Sequence, residues 1–240
     1  KITPAMVEAA LAGFIRGEHD PKPAAISITQ ASELGTVYSL EEVAAFGELA
    51  DRKGLRLHMD GARFGNAVAS LSCSPADLTW RAGVDVLSFG ATKNGAMGVE
   101  AVVFFDDRLA DDFRYRRMRS GQLLSKSRYL AAQMEAYLEG GRWIDNARRA
   151  NQLAARLADG LCRVKGMRPG VERQANEVFV IMKRDDCARL AAGGAVFHEW
   201  LASGRDTSPV GEGEVMIRLV TSFLTPPEDI EAFVRLAAGA

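Results

Sequence analysis

The chain has 240 residues, enough for one large domain or two modest ones around a substantial core. With 48% hydrophobic and 25% charged residues it has the composition of an ordinary globular protein, and no apolar run approaches the roughly 20 residues of a membrane helix. A formal charge of −1 gives no electrostatic reason to expect nucleic acid or an anionic membrane as a partner.

In chain order, Thr3-Pro4 opens a helix, with threonine as N-cap and proline at the first helical position. Val7, Ala10, Leu11, Phe14 and Ile15 then fall on one helical face. The opening segment lacks the apolar core of a signal peptide. Residues 24–29 (AAISIT) read as a buried strand. Ser39 and Glu42 make a capping box, and Leu40 to Ala50 follow at helical spacing until Lys53-Gly54 ends the helix. Residues 54–60 (GLRLHMD) are the next strand, Ser74-Pro75 starts a further helix, and 84–91 and 99–105 are two more strands. This alternation predicts an α/β domain with a mostly parallel sheet.

The second half reads differently. An arginine-rich helix is expected over 108–119 and another over 127–139, ending at Gly140-Gly141. A long helix from Arg142 carries Ile144, Ala147, Asn151, Ala154, Leu157 and Leu161 on one stripe. Strand-like runs follow at 164–167, 177–183 and 215–223. The last helix begins at a second capping-box pattern, Thr225 to Glu228. The expected division is a large domain over 1–141 and a smaller α+β domain over 142–240.

Two residues stand where ligands bind in open α/β sheets, beyond the carboxyl ends of the strands. Asp60 ends GLRLHMD, just before Gly61-Ala62-Arg63, and Lys93 lies past VDVLSFGA, between glycines at 90 and 95. Consecutive strands that pair would lie about 4.8 Å apart. A carboxylate and an amine so placed suit pyridoxal phosphate, which needs a lysine for its aldehyde and an acid for its pyridine nitrogen. The plainer reading of the same pair is a surface ion pair worth under about 1 kcal/mol. No G-x-G-x-x-G, Walker loop or HExxH is present, and His19, His58 and His198 are too scattered for a zinc site. Cys73, Cys162 and Cys187 form neither a disulfide framework nor a CxxC pair, which favours a reducing cytoplasm.

HMDGARFGNA (58–67) resembles the H-x-D-G-A-R signature of the threonine aldolases and related β-eliminating lyases. SFGATKNG (88–95), ISITQASELGTVYSLEE (26–42) and RSGQLLSK (119–126) resemble segments of the low-specificity L-threonine aldolases, and all four occur in the family's order. The resemblance implies a fold-type-I pyridoxal-phosphate enzyme that cleaves threonine, allo-threonine and related β-hydroxy-α-amino acids to glycine and an aldehyde. Sister reactions on the same scaffold, β-elimination or transamination, and an inactive fragment are the alternatives. By the resemblance Lys93 condenses with the cofactor aldehyde, Asp60 pairs with the pyridine nitrogen and Ala62 lies against one ring face. Arg63 would hold the cofactor hydroxyl or the substrate carboxylate. Arg218 would grip the substrate carboxylate with its planar fork, or be a surface charge. Lys126 would reach the cofactor phosphate of a neighbouring subunit, or be a solvated helix charge. His58, on the same strand face as Asp60, would support it or be a satisfied core histidine. A homodimer or homotetramer with sites at subunit interfaces is implied. The motif order also implies that the family's glycine-rich phosphate cradle precedes Lys1, so that these residues alone would bind the cofactor weakly.

Overall fold

A computed structural model describes residues 1–200 and 210–239. They divide into two units, Lys1–Ser32 with Val37–Ile144, and Glu33–Thr36 with Asp145–Ala240.

In the first unit, helix α1 (Pro4–Leu11) starts where expected, with the Thr3 hydroxyl accepting from Met6 N. It stops at Leu11, short of Phe14 and Ile15, which are exposed. Strand β1 (Ala25–Thr29) leads through residues 30–39 to α2 (Leu40–Lys53). The Ser39–Glu42 capping box is formed in full, and Gly54 closes α2 in the left-handed region that glycine adopts without a Cβ clash. Strand β2 (Arg56–Gly61) is followed by α3 (Phe64–Leu71), which the apolar periodicity had left unmarked. The helix expected at Ser74-Pro75 is only a set of turns ending in a 3₁₀ turn, Trp80–Ala82. There the Thr79 hydroxyl donates back to Pro75 O at 2.6 Å, and Gly83 turns the chain into β3 (Val86–Gly90).

Strands β1, β2 and β3 are parallel neighbours, with Thr29 opposite Asp60 and Asp60 opposite Ser88. Strand β4 (Glu100–Phe104) runs antiparallel to β3, whereas the sequence pattern had suggested a fourth parallel strand. The reason is the linker: ten residues or so carrying one 3₁₀ turn, Thr92–Asn94, are too few for a parallel crossover. One sheet face, with Ile26, Ile28, Leu57, Met59, Leu87 and Phe89, is buried beneath α2 and α3. The other, with Ser27, Thr29, His58, Asp60 and Ser88, is polar and exposed or half-buried. Helices α4 (Phe113–Arg119) and α5 (Arg128–Leu138) complete this unit together with Trp143.

In the second unit the long helix α6 (Arg142–Leu161) precedes an antiparallel sheet. Strands β5 (Arg168–Pro169), β6 (Glu177–Lys183), β7 (His198–Glu199) and β8 (Glu214–Val220) lie in the order β5-β6-β8-β7. Residues 164–167 form turns instead of the expected strand, with Gly166 at φ +88°. Helices α7 (Arg184–Ala192) and α8 (Pro227–Ala238) join α6 over one sheet face, where Leu157, Leu161, Leu190, Ile217 and Ile230 are buried together. The second capping box does not form: the Thr225 hydroxyl accepts from Ser222 N at 2.9 Å, outside the helix.

Candidate active site

Asp60 is half-buried at the carboxyl end of β2, and its Oδ1 accepts the Ala62 N–H at 3.0 Å. That bond folds 60–63 into a tight turn. Ala62 and Arg63 are both half-buried, and Arg63 occupies the N-cap position of α3. Lys93 lies one strand away in the 3₁₀ turn after β3. It is exposed, and among the described residues it has no hydrogen-bond or ion-pair partner. The surface-ion-pair reading of Asp60 and Lys93 therefore finds no support.

Two glycines let the motifs approach. A Cβ at Gly90 would stand 2.8 Å from both Cα and O of Ala62, and one at Gly61 would stand 2.7 Å from Ser88 O. The backbone leading to Lys93 thus rests on the backbone following Asp60, closer than any side chain would permit. On the polar face His58 spans three strands, with Nδ1 2.8 Å from Ser27 Oγ and Nε2 2.9 Å from Ser88 Oγ. It is a satisfied, half-buried histidine one register step below Asp60.

The lysine turn is held from several sides. The Glu100 carboxylate accepts from Ala91 N at 3.0 Å and Thr92 N at 3.3 Å. Gln133 Oε1 accepts from Met97 N at 3.0 Å and Gly98 N at 3.3 Å. Asn94, buried, donates from Nδ2 to Tyr137 Oη at 2.7 Å and to Trp143 O at 2.8 Å. Burial pushes the Tyr137 hydroxyl up to about 12, so it stays protonated and donates to Gly90 O at 3.4 Å. Sequence reasoning missed Glu100, Gln133 and Tyr137. Only Asn94 lies inside a recognisable motif, and Tyr137 is 43 positions further on.

The remaining expected site residues are elsewhere. Lys126 is exposed in the segment between α4 and α5. Arg218 belongs to the second unit, on β8 opposite Phe179 of β6. Its Nε donates to Glu177 Oε1 at 2.8 Å, and its guanidinium carbon stands 4.8 Å from the centre of the Trp200 ring. Glu177 is almost wholly buried, so this arginine compensates a carboxylate that could not stand alone. Two of the five guanidinium N–H donors are used in this way.

The arrangement fits pyridoxal phosphate in its donor set: an unengaged lysine amine and an aspartate at the carboxyl ends of adjacent parallel strands, with a small residue, Ala62, between the motifs. The chain is 44% identical over 205 residues to the low specificity L-threonine aldolase of Pseudomonas sp. (strain NCIMB 10558), covering 85% of this chain and 59% of that protein. The enzyme of the same name from Pseudomonas aeruginosa is 44% identical over 204 residues, with the same coverage. The chain thus spans 59% of the length of these curated relatives. Among solved structures, a threonine aldolase from Leishmania major superposes with TM-score 0.87 at 27% identity, over 99% of this chain and 66% of that one. A putative L-allo-threonine aldolase from Listeria monocytogenes gives TM-score 0.74 at 16% identity, over 100% of this chain and 65% of that one, a likeness of fold alone. The model of the β-eliminating lyases matches residues 1–185, a span that holds Asp60, Lys93 and every group tethering the lysine turn, and the chain therefore belongs to the β-eliminating lyase family.

Proposed function

We propose that this chain carries the lysine and aspartate of a pyridoxal-phosphate enzyme that cleaves threonine and related β-hydroxy-α-amino acids to glycine and an aldehyde. The observation that carries the reading is the placement of Asp60 and Lys93 at the ends of adjacent parallel strands joined by two glycine-mediated backbone contacts, Lys93 making no hydrogen bond or ion pair among the described residues. When bound, the cofactor supplies an electron sink for the pair left on the substrate α-carbon as the Cα–Cβ bond breaks. Asp60 would hold a proton on the pyridine nitrogen, favouring that sink electrostatically. Lys93 Nζ would hold the cofactor at its aldehyde and would move a proton at the substrate α-carbon. Ala62 offers a flat apolar contact for a ring, and Arg63 a donor for the cofactor hydroxyl. Arg218 is the candidate for the substrate carboxylate, its plane fixed by Glu177 and Trp200. Lys126 is the candidate for a cofactor phosphate held by a neighbouring subunit of a homo-oligomer. A cytoplasmic setting suits the three free cysteines, and no described helix is long and apolar enough to cross a membrane.

The test is borohydride reduction of the protein incubated with pyridoxal phosphate, followed by peptide mapping and by assays of glycine and aldehyde, ammonia, and keto acid. Label on the peptide containing Lys93 with glycine and aldehyde formed in equal amounts is the expected result. Label on another lysine overturns the site. Ammonia or keto acid as the main product, with Lys93 labelled, overturns the retro-aldol reaction and leaves a sister lyase or aminotransferase chemistry.

A further inference from the structure

We propose that Tyr137 and Asn94 are a positioning pair that sets the direction in which Lys93 projects, and so governs how readily its amine meets a carbonyl carbon held above Asp60. The inference rests on the reading of Lys93 given above. Its physical basis is the unequal restraint on the turn. Among the described residues Lys93 makes no hydrogen bond or ion pair that would orient its amine, so its direction is inherited from the backbone at 91–95. Tyr137 holds the turn on both sides of the lysine, once through backbone and once through a side chain. Its hydroxyl donates to Gly90 O, the last residue of β3, and accepts from the side chain of Asn94, the residue after Lys93. One hydroxyl therefore closes a ring through Gly90, the turn and Asn94, with the lysine at its apex.

The same grip refers the turn to the aspartate. Gly90, held by Tyr137, is the residue whose Cα lies against the Ala62 backbone, and Ala62 N is bonded to Asp60. Lys93 and Asp60 are thus linked through a chain of backbone packing and hydrogen bonds: Tyr137 to Gly90, Gly90 against Ala62, and Ala62 to Asp60. Tyr137 and Asn94 are both buried, so the hydrogen bond between them is shielded from water. The Tyr137 ring is fixed in turn by Phe89, at 5.9 Å, and Trp143, at 6.4 Å between centroids. Glu100 and Gln133 restrain the flanks of the loop from its exposed side. Glu100 is also the β4 residue opposite Gly90, whereas Gln133 accepts from Met97 N and Gly98 N, beyond the lysine turn.

The distinction from a purely structural role lies in what each change should move. Tyr137→Phe removes the hydroxyl and keeps the ring, so the aromatic packing persists. With the cofactor absent, amide hydrogen exchange in peptides covering 91–95 should rise by about tenfold or more, while exchange in β1 and β2 stays near that of the parent. With pyridoxal phosphate added, the rate at which Lys93 becomes reducible by borohydride should fall by about tenfold, as expected when a reacting group loses its preset direction. The pH at which the bound cofactor's visible band changes should also shift, since the environment of the lysine nitrogen has changed. Asn94→Ser, too short to reach Tyr137, is the second variant and should reproduce all three changes. Gln133→Ala is the comparison and should loosen 96–98 while slowing attachment less than Tyr137→Phe does. Attachment to Lys93 at the parental rate in either folded variant overturns the positioning role. Attachment of the parent's cofactor to another lysine overturns the site itself, and this inference with it.

Discussion

At the scale of single residues, the site predicts effects that separate chemistry from packing. Lys93 is exposed and makes no hydrogen bond or ion pair among the described residues, so Lys93→Ala should change unfolding free energy by no more than about 0.5 kcal/mol while abolishing covalent cofactor attachment. Denaturant titration and borohydride trapping on one sample check both halves. Asp60→Asn keeps the turn-forming oxygen that accepts from Ala62 N and removes the charge. Turnover should fall on the order of 100-fold with the melting temperature nearly unchanged. Turnover within a factor of two of the parent would reject the pairing with the pyridine nitrogen. For Arg218 the substitution must respect Glu177, which an alanine would leave buried and uncompensated. Arg218→Lys keeps the charge and loses the fork, and amino-acid affinity measured by titration should weaken by about 1–3 kcal/mol. Unchanged affinity would confine Arg218 to its ion pair with Glu177.

At the scale of elements, α2 is tied down at its start and along one side. Ser39→Ala removes half of a complete capping box and should cost about 1 kcal/mol by denaturant titration. Gly47 faces the turn after the 3₁₀ residues 80–82, and any Cβ there would collide with the Ala82 carbonyl oxygen. Since that obstacle is backbone, Gly47→Ala should cost about 1–3 kcal/mol or more despite alanine's better helix propensity. In the second unit, hydrogen bonds from Arg168, assisted by Gly211 N–H, bring the Glu214 carboxyl from the ordinary 4.5 down to about 2. Because the folded value lies below the unfolded one, this stabilisation is present above about pH 4.5. It fades as pH falls towards 2. Glu214→Gln should flatten that part of the acid stability curve and leave the neutral range little changed.

At the scale of the whole molecule, the sequence exposed some levels of organisation better than others. Strands β1, β2 and β3 and helix α2 were legible because apolar runs, a capping box and glycine stops are local signals, whereas α3, which follows Asp60 directly, was not. The polar side of that alternation, in Ser27, His58 and Asp60, already marked the face where the candidate chemistry lies, since parallel strands covered on both sides read as continuous apolar runs. The direction of β4 was not legible, because linker length decides it and the pattern of the strand does not. The grip on the lysine turn was hidden for a related reason. Tyr137 and Gln133 act across long sequence separations, and nothing in a tyrosine within RYLAAQMEAYL announces a hydroxyl aimed at Gly90. The Glu177–Arg218 pair was missed because Glu177 reads as the exposed start of a strand, whereas β8 and the 33–36 turn bury it, so closely that a Cβ on Gly35 would stand 3.1 Å from Glu177 Cβ.

The aromatic group beneath the lysine turn has an optical consequence. The chain has three tryptophans in unlike surroundings: Trp143 is 9% exposed, with its ring parallel to that of Phe64, Trp80 is 52% exposed with Arg81 over its ring, and Trp200 carries Arg218. Trp143 should emit at shorter wavelength than Trp80, and its carbonyl is bonded to the residue next to Lys93. A pyridoxyl group fixed on Lys93 absorbs in the range where tryptophan emits, so Trp143 serves as an internal donor for energy transfer to it. Quenching of the blue part of the emission on reduction, largely lost in Trp143→Phe and kept in Trp200→Phe, would give a label-free record of how fast the turn captures its ligand.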